Sequence, residues 1–197
     1  MPFWTNGADQ DPKRQYRFVA SFSGLGDCSW FVKNVDKPSL SLSEASHEYL
    51  NHTFYYPGRA SWNTISVTLV DPVEPDAAAT MMQAIRDSGY EPPKDSQDLN
   101  TVSKSQSINA LGTVTIQQLK ADGDQMAPVE EWRLVNAWIK SVTLSGLDYS
   151  GDALSDVTLE IRYDWAEMMA HGSTQNVGVG GSSTPLTPNQ GIFKISG

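Results

Sequence analysis

From Val157 the chain reads Val-Thr-Leu-Glu-Ile-Arg-Tyr-Asp-Trp, with apolar side chains at Val157, Leu159, Ile161, Tyr163 and Trp165 and polar ones at Thr158, Glu160, Arg162 and Asp164. Period two sends the first set to one face of a β-sheet and the second to the other. Such a strand is half buried: one face joins a core, and the other meets water or a polar partner. No other feature restricts the fold as much. The larger stretch that it closes, Val129 to Trp165, holds three of the six tryptophans.

The rest of the chain repeats this pattern in weaker form. Tyr16, Phe18, Ala20 and Phe22 alternate with Gln15, Arg17, Val19 and Ser21, which predicts a first strand. A turn at Gly24-Leu25-Gly26-Asp27 leads to a second strand over 29–35, halted near Pro38 because proline donates nothing to a ladder. Leu40 and Leu42 continue extended pairing. Trp62 to Val70 places Ile65, Val67 and Leu69 against Thr64, Ser66 and Thr68 and reads as a β-branched strand; Thr113 to Leu119 reads as another.

Between these strands lies one clear helical segment. Asp71, Glu74 and Asp76 surround Pro72 and Pro75, and apolar Ala77, Ala78, Ala79, Met81, Met82, Ala84 and Ile85 follow before Gly89. Acidic N-caps, a proline tolerated in a first turn and a closing glycine predict a helix over about 75–88, starting at Asp71-Pro72 or again at Pro75. Capping explains the three carboxylates more simply than a binding cluster does, since negative charge at a helix start is favourable by ~0.3–1 kcal/mol. Residues 90–110, with adjacent prolines and few apolar anchors, read as a surface loop.

The expected architecture is mainly β: a small β-barrel or sandwich of two packed antiparallel sheets with one flanking helix. With 197 residues the chain suffices for one domain that buries roughly 70% of its unfolded surface. Residues 1–14 read as an N-terminal arm, 15–170 as the β domain, and 171–197, rich in Gly, Ser, Thr and Pro, as a flexible tail. Phe3 and Trp4 are the large apolar groups of the arm, and exposed there they suit docking on a neighbouring chain or on their own core. Residues 43–61 lack a sustained period and read as a long connection. It carries Tyr49, Phe54, Tyr55 and Tyr56 beside Arg59, residue types enriched where proteins touch.

Composition narrows the function. Against 14 Lys and Arg stand 23 Asp and Glu, a net charge of −9, the wrong sign for a protein that neutralises phosphates. Cys28, the single cysteine, leaves no intramolecular disulfide and, beside Trp30, Phe31 and Val32, reads as a small buried or half-buried side chain at a strand entrance. No basic region followed by an apolar run opens the chain, so neither a secretion signal nor a membrane anchor is expected.

Catalytic and ligand-binding constellations are not legible. His47, His52 and His171 stand in loops without a nucleophile or a metal-ligand spacing. Asp122 and Asp124 flank a single glycine and read as a turn rather than a calcium loop. Gly178 to Gly181 has no strand before it and no lysine and helix after it, so it reads as linker rather than phosphate cradle. Neither an enzymatic activity, a metal nor a cofactor is expected.

The ordered set Trp132-Arg133-Leu134-Val135-Asn136-Ala137-Trp138-Ile139, Leu147-Asp148-Tyr149 and Ile161-Arg162-Tyr163-Asp164-Trp165 resembles the C-terminal signature of T4-like phage tail tube proteins. Upstream, Phe54-Tyr55-Tyr56-Pro57-Gly58-Arg59, the strand ending in Asp71-Pro72 and the helix occur in the order found in that family, so the likeness spans about residues 15–165. It implies the tail tube fold, shared in outline with type VI secretion tube subunits. It also implies a homo-hexamer whose rings stack into a hollow tube inside a sheath, with baseplate and tape-measure proteins as partners and genomic DNA passing without specific binding.

The place implied is the virion tail, assembled in the host cytoplasm. The polar set Thr158, Glu160, Arg162 and Asp164 becomes a candidate lumen or inter-subunit face. Phe3, Trp4, Tyr49, Phe54, Tyr55, Tyr56 and Arg59 become candidate contacts between subunits or rings. An inner tube subunit of a phage-tail-like bacteriocin or type VI-like device fits the same residues. A small-ligand barrel with Trp132, Trp138 and Trp165 around a pocket is the reading from another class.

Overall fold

The structure is a computed structural model that describes residues 13–26, 31–94, 100–120 and 128–170. Phe3, Trp4, Cys28, Asp122, Asp124, His171 and the Gly178–Gly181 run lie outside the described residues. So do the greater part of the arm and the whole of the expected tail.

Two four-stranded antiparallel sheets carry the core. Sheet A has the order β1 (Phe18–Phe22), β6 (Val114–Leu119), β7 (Pro128–Val135) and β10 (Trp165–Ala170). Sheet B has the order β2 (Val32–Val35), β5 (Ile65–Val70), β9 (Asp156–Arg162) and β8 (Trp138–Leu144). Their inner faces supply one apolar cluster: Ala20, Phe22, Val114, Ile116, Leu134 and Ala166 from sheet A, and Ile65, Val67, Leu69, Val157, Leu159 and Ile161 from sheet B. The expected two-sheet, mainly β architecture is borne out, although the sheets do not close into a barrel.

Helix α1 (Ala77–Asp87) inserts Met81 and Ala84 into the same core and packs on edge strand β8. Its N-terminus is satisfied twice over: Asp76 Oδ1 accepts from Ala79 N at 2.7 Å, and Asp71 Oδ1 from Ala77 N and Ala78 N at 3.1 and 3.2 Å. The capping reading of Asp71 and Asp76 is thus realised, with the helix beginning at Ala77 rather than at Pro72. Gly89, at φ +98°, closes the end as expected.

Three local expectations are corrected. A second helix, α2 (Lys104–Leu111), stands where 90–110 was read as loop. Only Ser107 and Leu111 of α2 are buried, so no amphipathic stripe announces it. The legible signal was Ser103-x-x-Gln106, in which Ser103 Oγ accepts from Gln106 N. Residues 43–61 belong to a hairpin of β3 (Leu40–Tyr49) and β4 (His52–Trp62), not to an irregular connection. Lastly, Trp165 is not the fifth inward residue of one strand: the alternation stops at Tyr163, and Trp165, 40% exposed, opens β10 in the other sheet.

The chain crosses between the sheets twice at one corner. Asn136, at φ +54°, and Ala137 carry β7 into β8, while Tyr163 and Asp164 carry β9 into β10. Asp164 N donates to Val135 O at 3.1 Å, and its carboxylate accepts from Asn136 Nδ2 at 2.8 Å and from Lys104 Nζ at 2.7 Å. Burial raises the Asp164 pKa, but these hydrogen bonds and the Lys104 charge outweigh it and hold the carboxyl below its ordinary value.

At the other end of β7 a buried carboxylate ties in the root of the arm. Glu130, 5% exposed, accepts from Lys13, from Trp132 Nε1 and, at 2.9 Å, from Lys37 Nζ. Its cross-strand neighbour Gln118 accepts from Lys37 Nζ at 2.6 Å and donates to Arg14 O at 3.2 Å. Burial pushes the Glu130 carboxyl up, yet the hydrogen bonds from Lys13, Lys37 and Trp132 and the Lys13 charge prevail, lowering its pKa from 4.5 to about 2.

Because the folded value lies below the unfolded one, this stabilisation is fully present above about pH 4.5 and fades as pH falls toward 2. Both ammonium groups remain half exposed, which tempers the pairing. Glu130→Gln is expected to cost about 2 kcal/mol near pH 7. It is also expected to flatten the acid limb of the stability profile, as read by urea unfolding between pH 7 and pH 2.5.

Candidate functional site

The β3–β4 hairpin leaves the body at one end of sheet B, between the end of β2 and the start of β5. Every residue of β3 is exposed, and on β4 only Thr53 and Trp62 are half-buried. Trp62 anchors the base, 6.0 Å from the Tyr163 ring. A two-stranded hairpin is marginal in water without a third surface to cover it. Its sequence nevertheless spends large apolar side chains, namely Leu40, Leu42, Tyr49, Leu50, Phe54, Tyr55 and Tyr56, on positions open to solvent.

Register sorts these residues. Pairs Ala45↔Tyr56, His47↔Phe54 and Tyr49↔His52 share one face, while Glu44↔Pro57, Ser46↔Tyr55 and Glu48↔Thr53 share the other. The first face is aromatic, and the His52 ring meets Phe54 edge-on at 4.7 Å. Toward the base the register shifts between Leu42 and Glu44, where Ser43 stands against Gly58 and Arg59. Ser43 Oγ accepts from Arg59 N at 2.8 Å.

This β-bulge flips the parity of β4, so Ala60 and Trp62 lie opposite Leu42 and Leu40. At the tip, Leu50 holds φ +51°, a backbone region that a leucine enters only at a cost.

The expected contact residues Tyr49, Phe54, Tyr55, Tyr56 and Arg59 therefore all stand on one projecting hairpin, with Tyr55 facing opposite to Tyr49, Phe54 and Tyr56. Sequence reading did not single out Leu50 at the tip, or Leu40 and Leu42 near the base, which by register lie on the Tyr55 side of β3. Only their spacing about the Leu50-Asn51 turn could have revealed them.

On β9, Thr158, Glu160 and Arg162 share the outer face of sheet B as the alternation required. Glu160 accepts from Lys140 Nζ at 2.7 Å, Thr64 Oγ1 at 2.8 Å and Ser141 Oγ at 3.3 Å. The Lys140 and Thr64 hydrogen bonds lower its pKa. Neighbouring Ser66, Thr68 and Thr143 keep this face hydroxylated. Asp164 is not brought to it; it sits beyond the strand at the inter-sheet corner.

The tryptophans of the pocket reading do not converge. Trp132 bonds Glu130, Trp165 is exposed at the start of β10, and Trp138 lines a groove of about 250 Å³ between the helices and β8. Among the described residues no three His, Cys, Asp or Glu side chains are placed to hold a metal.

No protein-family model and no curated protein sequence matches this chain. In fold it is similar to a chain of the sheath-tube complex of an extracellular contractile injection system, PVC, in the extended state: TM-score 0.60, 19% identity, covering 83% of this chain and 95% of that one. It is also similar to a chain of the 6-fold symmetrised anti-feeding prophage (AFP) baseplate, with TM-score 0.58, 15% identity and 81% and 97% coverage. A third likeness is to the AFP tube-terminating cap, with TM-score 0.59, 17% identity and 82% and 93% coverage. At such identities the likeness is one of fold, and it agrees with the fold implied by the tail tube resemblance.

Gly58 tests the hairpin's build, since a Cβ there would lie 2.3 Å from Ser43 Oγ and 2.9 Å from Ser43 O. Gly58→Ala is expected to leave the melting temperature of the body unchanged while chymotrypsin cuts at Tyr49, Phe54 and Tyr55 markedly faster.

Proposed function

We propose that this chain is the structural subunit of a contractile tail tube. Six copies close into a ring, and rings stack around a channel through which phage DNA passes without specific binding. The observation that carries the reading is the free-standing aromatic hairpin, which has no reason to exist on a monomer. The shared fold with chains of a sheath-tube complex, a baseplate and a tube cap supports it, and the 6-fold symmetry of the AFP baseplate supports the ring number. Sheath, baseplate and tape-measure proteins are the partners in this reading, the virion tail is its location, and assembly takes place in the host cytoplasm.

Ring closure also answers the problem of sheet edges. Strands β1 and β10 border sheet A, and β2 and β8 border sheet B. Open edges invite pairing with another chain, and a closed ring turns that liability into an assembly contact. Sheet B then turns its hydroxylated outer face, with Thr158, Glu160 and Arg162, toward the channel. A protein of net charge −9 offers phosphates little to hold.

A second reading keeps the subunit and changes the machine. The fold likeness to PVC and AFP components favours the inner tube of an injection device, whose cargo need not be DNA. Particles joined to a capsid distinguish the phage tail from a free-standing device.

Negative-stain electron microscopy of the purified protein is expected to show rings and tubes. A persistent monomer at high concentration, even with initiator components, overturns the proposal. Tyr55→Ala and Arg59→Ala are each expected to impair stacking while shifting the melting temperature little, since neither side chain contributes to the core. Deleting residues 2–12, with Phe3 and Trp4, is expected to reduce polymerisation more than folding, because the arm's root stays fixed through Lys13 and Lys37 on Glu130.

A further inference from the structure

Helices α1 and α2 do not pack flush on β8. Between them runs the groove of about 250 Å³ that Trp138 lines, with Ile85 of α1, Ala110 of α2, Ile139 of β8, and Tyr90 and Val102 from the connection between the helices. Tyr90 and Val102 stand at its rim, each more than half exposed, while Trp138 and Ile139 are half-buried. The volume is below the ~300–1,000 Å³ of sites that enclose a drug-sized ligand. It suits a short run of side chains.

The polar groups of the groove are already in use. Ser88 Oγ donates to Ile85 O at 2.6 Å, and Ser107 Oγ to Ser103 O at 2.8 Å. Lys140 Nζ and Ser141 Oγ donate to the Glu160 carboxylate at 2.7 and 3.3 Å. What stays open to a guest is chiefly hydrocarbon and aromatic ring. Such a surface gains by losing water and sets no hydrogen-bond pattern for a polar ligand.

The chain carries a segment of matching kind. After Ala170, where β10 ends, about 20 residues follow without Asp, Glu, Lys, Arg, Phe, Tyr or Trp, and then comes Ile192-Phe193-Lys194-Ile195. Phe193 is the only Phe, Tyr or Trp beyond Trp165. Its tether starts within reach of the groove. Trp165 opens β10 opposite Val135, three residues before Trp138 opens β8, and the length of β10 then carries the chain roughly 17 Å from that corner. A linker of about 20 residues with this composition has a root-mean-square span of about 25 Å, which matches the distance back.

We infer that Ile192-Phe193-Lys194-Ile195 seats in this groove on its own subunit, with the Phe193 ring beside Trp138 and the isoleucines against Tyr90 and Val102. Tether length selects the chain's own segment over other occupants, because a linker whose span matches its site raises the local concentration to about the millimolar range. The inference goes beyond the tube reading and holds whether or not rings form.

Disulfide trapping on the dilute chain tests it. In a Cys28→Ser background, Ile192→Cys with Val102→Cys is expected to cross-link within the chain about tenfold faster than Leu186→Cys with Val102→Cys, since the linker alone serves both pairs alike. Adding Phe193→Ser to the first pair is expected to remove that advantage. Ile192→Cys with Tyr90→Cys uses a second exposed rim position and is expected to behave like the Val102 pair, so the outcome does not hang on one substitution. Equal rates for the Ile192 and Leu186 pairs, or an advantage that survives Phe193→Ser, overturn the inference. Cross-links formed mainly between chains, at a rate that rises with protein concentration, overturn it as well and assign the segment to a neighbouring copy.

Discussion

Two open sheets share one apolar core, and the chain must pass between them without baring backbone polar groups. The corner of Asn136, Ala137, Tyr163 and Asp164 meets this constraint. One carboxylate collects the Asn136 amide and the Lys104 ammonium, and the backbone of Asp164 closes onto Val135. Both crossings and the start of α2 are thereby fixed at one point, which sets the relative placement of the sheets. Glu130 does the corresponding work at the far end of β7, where Lys13 and Lys37 bring the arm's root and the β2–β3 connection against sheet A.

With its body braced in this way, the protein can hold out an element that gives its own core only Trp62, at its root. The hairpin is rooted through Trp62 on Tyr163, kinked by the Ser43/Gly58–Arg59 bulge and capped by a left-handed leucine. Its exposed aromatics would be a solubility hazard on a monomer. In the proposed tube another copy covers them, and they serve as interface anchors there.

The legible parts of the fold are those where one face is buried. Ile65, Val67 and Leu69 on β5, and Val157, Leu159 and Ile161 on β9, alternate cleanly because water lies on one side and the core on the other. Where that asymmetry fails, the pattern fails with it. The hairpin is exposed on both faces, and its bulge changes parity halfway, so its aromatics read as candidate contact residues but not as strands. Helix α2 buries only two side chains and left a capping signal instead of a stripe. At Trp165 the alternation ran one residue too far, because a corner that keeps an extended backbone looks in sequence like more strand.

Whether the hairpin is an assembly element is most directly tested by amide hydrogen exchange in β3 and β4, measured on dilute subunit and on the assembled particle. An uncovered two-stranded ladder opens readily, so exchange in the dilute subunit should be fast compared with β5 and β9. In the assembly it should slow to the range of the core strands. Hairpin amides already protected at high dilution, or still fast in the assembled particle, would contradict the account.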